Sequence, residues 1–119
     1  MTGSPPQPIP AATLIVMRER SSGAPELLIV ERSAAMRFAG GALVFPGGRV
    51  DPGDHALAAL YDGDGDDLAA RIAAIRETIE EAGLAIGVTG LAEGARADLY
   101  GGVPVGDVLA GLELDLDAL

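Results

Sequence analysis

The chain has no cysteine, no tryptophan and one histidine, and aromatic residues make up 3% of its 119 positions. Without cysteine there are no disulfides and no thiolate chemistry, so nothing ties the protein to an oxidising compartment. Long apolar runs are also missing. None, Leu14 to Met17 with its small neighbours included, approaches the ~20 residues that cross a bilayer. The N-terminus lacks the basic region and sustained apolar stretch of a signal peptide. A cytoplasmic location is therefore the expectation. Cations are scarce as well, and the formal charge of -10 argues against nonspecific nucleic-acid binding, which needs cationic surface to displace counterions.

What remains supports one α/β domain. An apolar content of 49% is enough for a core built mainly from alanine, leucine and glycine. Met1 to Pro10, with four prolines, reads as a disordered lead, and residues 11–119 as the domain. Strands are expected at Ala12 to Arg18 and Glu26 to Glu31, joined as a hairpin through Ser21-Ser22-Gly23-Ala24-Pro25, and at Ala42 to Phe45. Ala56 to Leu60 reads as a helical turn, Asp62 to Asp66 as a loop, Leu84 to Val88 as a strand and Val105 to Leu112 as a short helix. No internal repeat or second domain is evident.

The most informative segment is Arg76-Glu77-Thr78-Ile79-Glu80-Glu81-Ala82-Gly83-Leu84. At about 100° per residue, Leu68, Ile72, Ile75 and Ile79 form one helical stripe, with Glu77 and Glu81 nearly opposite and Glu80 beside them. Asp66 or Asp67 would cap this helix, and Gly83 would end it. Three carboxylates within a turn and a half repel one another and call for solvent or a cation such as Mg²⁺ or Mn²⁺. A solvated surface face is the ordinary alternative. Upstream, Phe45-Pro46-Gly47-Gly48-Arg49-Val50-Asp51-Pro52-Gly53-Asp54 follows a β-like run and reads as a rigid loop that lets backbone approach a ligand.

Together these two segments resemble the Nudix hydrolase box: Gly, five residues, Glu, seven residues, then Arg-Glu, apolar, any, Glu-Glu, any, Gly, apolar. Gly48 opens it, and Arg76-Glu77, Glu80-Glu81, Gly83 and Leu84 complete it. Asp54 stands in place of the first Glu, Thr78 fills an apolar position, and 21 residues, 55 to 75, separate Asp54 from Arg76. The excess is absorbed if His55 to Asp67 loops out before the helix, since closure entropy grows slowly with length. A second resemblance, Arg32-Ser33, Arg37, Gly41 and Phe45-Pro46-Gly47-Gly48, is similar to the signature preceding the box in Nudix enzymes that cleave coenzyme A. Leu28-Ile29-Val30 replaces its usual opening.

The resemblance implies a Nudix fold, an α/β/α sandwich with a mixed sheet, and a Mg²⁺- or Mn²⁺-dependent diphosphatase acting on coenzyme A, acyl-CoA or a related nucleoside diphosphate derivative. It implies metal ligation by Glu77, Glu80 and Glu81, an orienting role for Arg76 on Asp54, backbone contact to substrate from Gly47 and Gly48, and phosphate contacts from Arg32 and Arg37. The general base stays open. Relatives generally continue beyond an ending like Leu114 to Leu119, so a C-terminally truncated chain is expected. An incomplete sheet edge would then favour a homodimer or aggregation. A Nudix-like module or gene fragment without turnover is the alternative to an enzyme. His55 receives no role, Met36 and Phe38 read as packing residues, and Asp62 to Asp67 lacks the Gly and Glu positions of an EF-hand loop.

Overall fold

The computed structural model describes residues 7–32, 41–90, 94, 97, 98 and 103–119. Among the described residues, eight short strands form four antiparallel pairs. Strand β1 (Ala11–Thr13) pairs with β6 (Gly47–Arg49), β2 (Met17–Arg18) with β3 (Glu26–Leu27), β4 (Val30–Glu31) with β5 (Leu43–Val44), and β7 (Val88–Thr89) with β8 (Glu113–Leu114). The helices whose bounds lie wholly among the described residues are α1 (Pro52–Ala58), α2 (Gly65–Ala82) and α3 (Val105–Leu109), and a 3₁₀ turn covers Leu116–Ala118.

The long helix α2 organises the rest. It packs against α1, α3 and the 3₁₀ turn, and also against β1 and β6. The expected apolar stripe of Leu68, Ile72, Ile75 and Ile79 is buried with Leu57, Val105, Leu109, Leu114 and Leu116. Burial does not stop at that stripe. Ala74, Arg76 and Thr78 are also buried, and Thr78, fully enclosed, donates its hydroxyl to the Ala74 carbonyl at 2.7 Å. Arg71 holds the chain's last turn to the helix through the carbonyls of Leu116 (2.7 Å) and Leu119 (2.9 Å). No helix among the described residues is long and apolar enough to cross a membrane.

Several expected elements differ in detail. The strand expected over Ala12 to Arg18 is two strands because it changes partner midway. Its first half pairs with β6 and its second with β3, while Leu14 N–H and the Val16 carbonyl keep bonds to Pro46 and Leu28 across the change. Glu26 to Glu31 divides for the same reason, between β2 and β5. The hairpin through residues 21–25 is present. Strand β6 was not anticipated, since two glycines and an arginine carry no β pattern; its pairing with β1 explains it.

The segment between Asp54 and α2 does not simply loop out. Its start lies in α1, longer than the expected turn at Ala56 to Leu60, with Asp51 as N-cap, Pro52 at the first helical position, and Leu57 and Ala58 buried. The cap of α2 is Asp64 rather than Asp66 or Asp67, because its carboxylate accepts from both of those backbone N–H groups at 3.0 and 3.3 Å. Gly83 ends α2 as expected, with φ +70° and its N–H donating to Ile79. Of Leu84 to Val88, only Val88 is in a strand. Left-handed turns at Gly83 and Gly87 keep the intervening residues from running extended. Helix α3 stops at Leu109, short of Leu112.

Candidate active site

Helix α2, the start of α1 and the β6 loop meet at Arg76. Its side chain is 8% exposed and that of Asp54 is 3% exposed. Asp54 receives the guanidinium in two parallel bonds, Nε to Oδ1 and Nη2 to Oδ2, both 3.0 Å. Such fork-to-fork pairs fix orientation as well as supplying charge-assisted bonds. Aspartate is one methylene shorter than the glutamate of the box, yet it reaches because it lies in the first turn of α1, packed against α2.

The other edge of Arg76 faces the glutamates. Nη1 donates to Glu77 Oε1 at 3.1 Å and to the two oxygens of Glu80 at 3.2 and 3.1 Å. Nη2 also donates to the Arg49 carbonyl at 3.0 Å and lies 3.3 Å from an Asp51 carboxylate oxygen. One cation is therefore surrounded by four carboxylates. Hydrogen bonding to Asp54, opposed by burial and aided by the charges of Asp54, Glu80 and Glu77, holds the guanidinium proton more tightly than usual.

Glu77 is the covered glutamate, with a side chain 18% exposed against 40% for Glu80. Its carboxylate lies against Gly48, where a Cβ would stand 2.5 Å from two of its atoms. Gly48 thus has no side chain because Glu77 occupies the space. Burial raises the Glu77 carboxyl above its ordinary value of 4.5; Arg76 lowers it, and Glu80 and Glu81 raise it further. The acidic face, which the sequence leaves to solvent or a cation, is half enclosed at Glu77, while Glu81 is exposed and takes no part in the Arg76 bonds.

A divalent cation was expected on Glu77, Glu80 and Glu81. Their carboxylate oxygens are the hard donors that Mg²⁺ or Mn²⁺ prefers. Among the described residues, however, no three His, Cys, Asp or Glu side chains form a group placed to hold an ion. Glu77 and Glu80 turn instead to Arg76. The donors fit in kind, and their charge is partly met from within the protein.

Of the other expected residues, Gly47 allows β6 to lie against β1, since a Cβ there would strike the Ala12 carbonyl and Thr13. Arg32 is half-buried after β4, its backbone N–H donating to Ala42 and its buried Nε without a partner among the described residues. It makes no bond to the Arg76 group. Arg37, with Ser33, Met36 and Phe38, lies outside the described residues. His55 is exposed. Asp51 was missed as a site residue. Its signal was legible as a capping pattern, Asp51-Pro52-Gly53-Asp54, in which the third residue after the cap reaches back: Asp51 N–H donates to Asp54 Oδ2 at 2.8 Å.

A crystal structure of a NUDIX hydrolase from Alicyclobacillus acidocaldarius is similar to this chain at a TM-score of 0.67 and 38% sequence identity, covering 89% of this chain. The fold is the Nudix fold. The chain spans 56% of the length of that NUDIX hydrolase. No family profile and no curated protein matches the sequence. The likeness supports placement in the Nudix superfamily, and of the box residues Asp54, Glu77 and Glu80 meet at the Arg76 guanidinium, with Gly48 against the Glu77 carboxylate.

Proposed function

We propose that this chain is the box-bearing part of a cytoplasmic, metal-dependent Nudix hydrolase that cleaves the diphosphate linkage of a nucleoside diphosphate derivative, with coenzyme A or acyl-CoA as the first substrate class to test. The observation that carries the reading is the Arg76 group, which joins Asp54 from α1 to Glu77 and Glu80 of α2 beside Gly48. Glu77, Glu80 and Glu81 would hold Mg²⁺ or Mn²⁺. When bound, such an ion offsets charge on phosphoryl oxygens and makes water more acidic.

The chain's own residues supply the setting. Arg76, tied to buried Asp54, orients Glu77 and Glu80; Gly48 leaves room for the Glu77 carboxylate and brings backbone close. Gly47 and Gly48 would face the diphosphate, and Arg32 and Arg37 would meet phosphates of a CoA-like ligand. Arg32's Nε, buried and without a partner among the described residues, supports that role for it. Exposed Met17, Leu27 and Leu43 support a homodimer.

A second reading, a nucleotide-binding module without turnover, draws on one observation. Glu77 and Glu80 are already paired with Arg76, with no three acidic groups placed for an ion among the described residues. Mass spectrometry separates the two, using the chain and its Glu80→Gln variant with Mg²⁺ or Mn²⁺ and CoA, acyl-CoA, ADP-ribose and NADH. Metal-dependent cleavage lost in the variant is the expected result. Binding without cleavage of any member would replace the enzyme with the module.

A further inference from the structure

A guanidinium has five N–H donors in one plane. Asp54 takes the edge formed by Nε and Nη2, and Glu77 and Glu80 take Nη1. A two-point grip fixes that edge against Asp54, and what stands beyond Nη2 sets how the guanidinium slides in its own plane, which shifts Nη1 relative to both glutamates. One further acceptor and one further charge stand at Nη2: the Arg49 carbonyl accepts its second N–H at 3.0 Å, and an Asp51 carboxylate oxygen pairs with it electrostatically at 3.3 Å. The carbonyl belongs to β6 and is fixed by backbone pairing to β1. The Asp51 carboxylate is the one charge paired with Arg76 that is not among the Nudix box residues Asp54, Glu77 and Glu80.

We infer that Asp51 is a positioning residue, holding the Nη2 side of Arg76 so that Nη1 is presented to Glu77 and Glu80. The inference rests on the proposed hydrolase reading for its effect on turnover, but not for the placement of Arg76. Asp51 is more than half exposed, and an ion pair between two exposed groups would count for little. Here its partner is buried and shared, so a small angular change at Arg76 is passed to two carboxylates at once. Asp51 also ends the β6 loop as the N-cap of α1, and its backbone N–H is held by Asp54 Oδ2 at 2.8 Å. The same residue therefore joins the start of α1 to the guanidinium that α1 helps to bury.

A purely structural capping role is the competing explanation, and the chemistry separates the two. Asparagine and serine cap helices about as well as aspartate but carry no charge, whereas glutamate keeps the charge and caps poorly. The test uses the full chain as Asp51→Asn, Asp51→Ser and Asp51→Glu. Its readouts are the side-chain ¹⁵N–¹H signals of Arg76, backbone shifts over residues 52–58, and CoA hydrolysis. In Asp51→Asn and Asp51→Ser, α1 shifts should stay unchanged while exchange of the Arg76 Nη protons quickens. Turnover should fall about tenfold with KM within about twofold, the mark of a misplaced group rather than lost substrate binding. Asp51→Glu should restore slow Nη exchange and most turnover while loosening the first turn of α1. Unchanged Arg76 signals in Asp51→Asn, or loss that follows α1 loosening in every variant, would overturn the role. If the unsubstituted chain hydrolyses nothing, the hydrolase reading fails, and the Arg76 signals still decide whether Asp51 holds it.

Discussion

The Glu77 carboxylate rests where the side chain of residue 48 would be, so a methyl group on Gly48 would stand 2.5 Å from its carboxyl carbon and one oxygen. Gly47, next to it, faces backbone instead: a methyl there would run into the Ala12 carbonyl and Thr13 Cα. Adjacent glycines thus guard different things.

Gly48→Ala should push the flexible end of Glu77 aside and cost activity, about tenfold or more, with a stability loss under ~1 kcal/mol. Gly47→Ala should separate β1 from β6 and cost about 1–3 kcal/mol. Parallel urea unfolding and hydrolysis assays on the two variants check the contrast; equal stability losses would remove it.

Breaking the buried pair should be expensive from either side. Asp54→Ala leaves Arg76 without its two-point partner, and a loss of about 3–5 kcal/mol is expected for removing one member of such a pair. Asp51→Ala, at the exposed edge, should cost far less. Thermal and denaturant unfolding of both variants gives the comparison, and a small effect in Asp54→Ala would mean that Arg76 finds another partner.

The raised Glu77 carboxyl sets the sign of one pH effect. A carboxyl that takes up its proton at higher pH when folded makes the folded state bind more protons in the interval above the ordinary value of 4.5. Stability from this group therefore falls as pH rises through that interval and is regained as pH falls. Relative to the native chain, Glu77→Gln should remove that slope. Unfolding free energies measured from pH 4 to 8 (about the range spanning ordinary carboxyl and neutral conditions) decide it; identical slopes would contradict the assignment.

Thr78 stands where the Nudix box carries an apolar residue, and it is fully buried with its hydroxyl turned back to Ala74 at 2.7 Å. Since that carbonyl lies one helical turn back, Thr78→Val should change stability by less than ~1 kcal/mol. A larger loss on calorimetry would show that the hydroxyl is needed.

Periodicity placed α2 and its buried stripe because four apolar residues at helical spacing have few other uses. Gly83 marked its end because a left-handed residue there needs no side chain. The box resemblance names Gly48, Arg76, Glu77 and Glu80, residues that the fold brings into contact. Less could be read where tertiary pairing overrode local pattern. Ala12 to Arg18 looks like one strand, yet its halves serve different partners, and Gly47–Arg49 becomes a strand only because β1 lies beside it. Asp51 reads in sequence as part of the Pro-Gly loop, and its pairing with Arg76 depends on a residue 25 positions away, which no local signal encodes.

The bidentate tie between Asp54 and Arg76 fastens both ends of the stretch between them, with α1 and the body of α2 packed as its two arms. Its exposed tip, around Asp62 and Gly63, makes no bond to the Arg76 group. That makes the tip a port for engineering: a reporter peptide or a second domain spliced between Asp62 and Gly63 would be carried by the site without reshaping it.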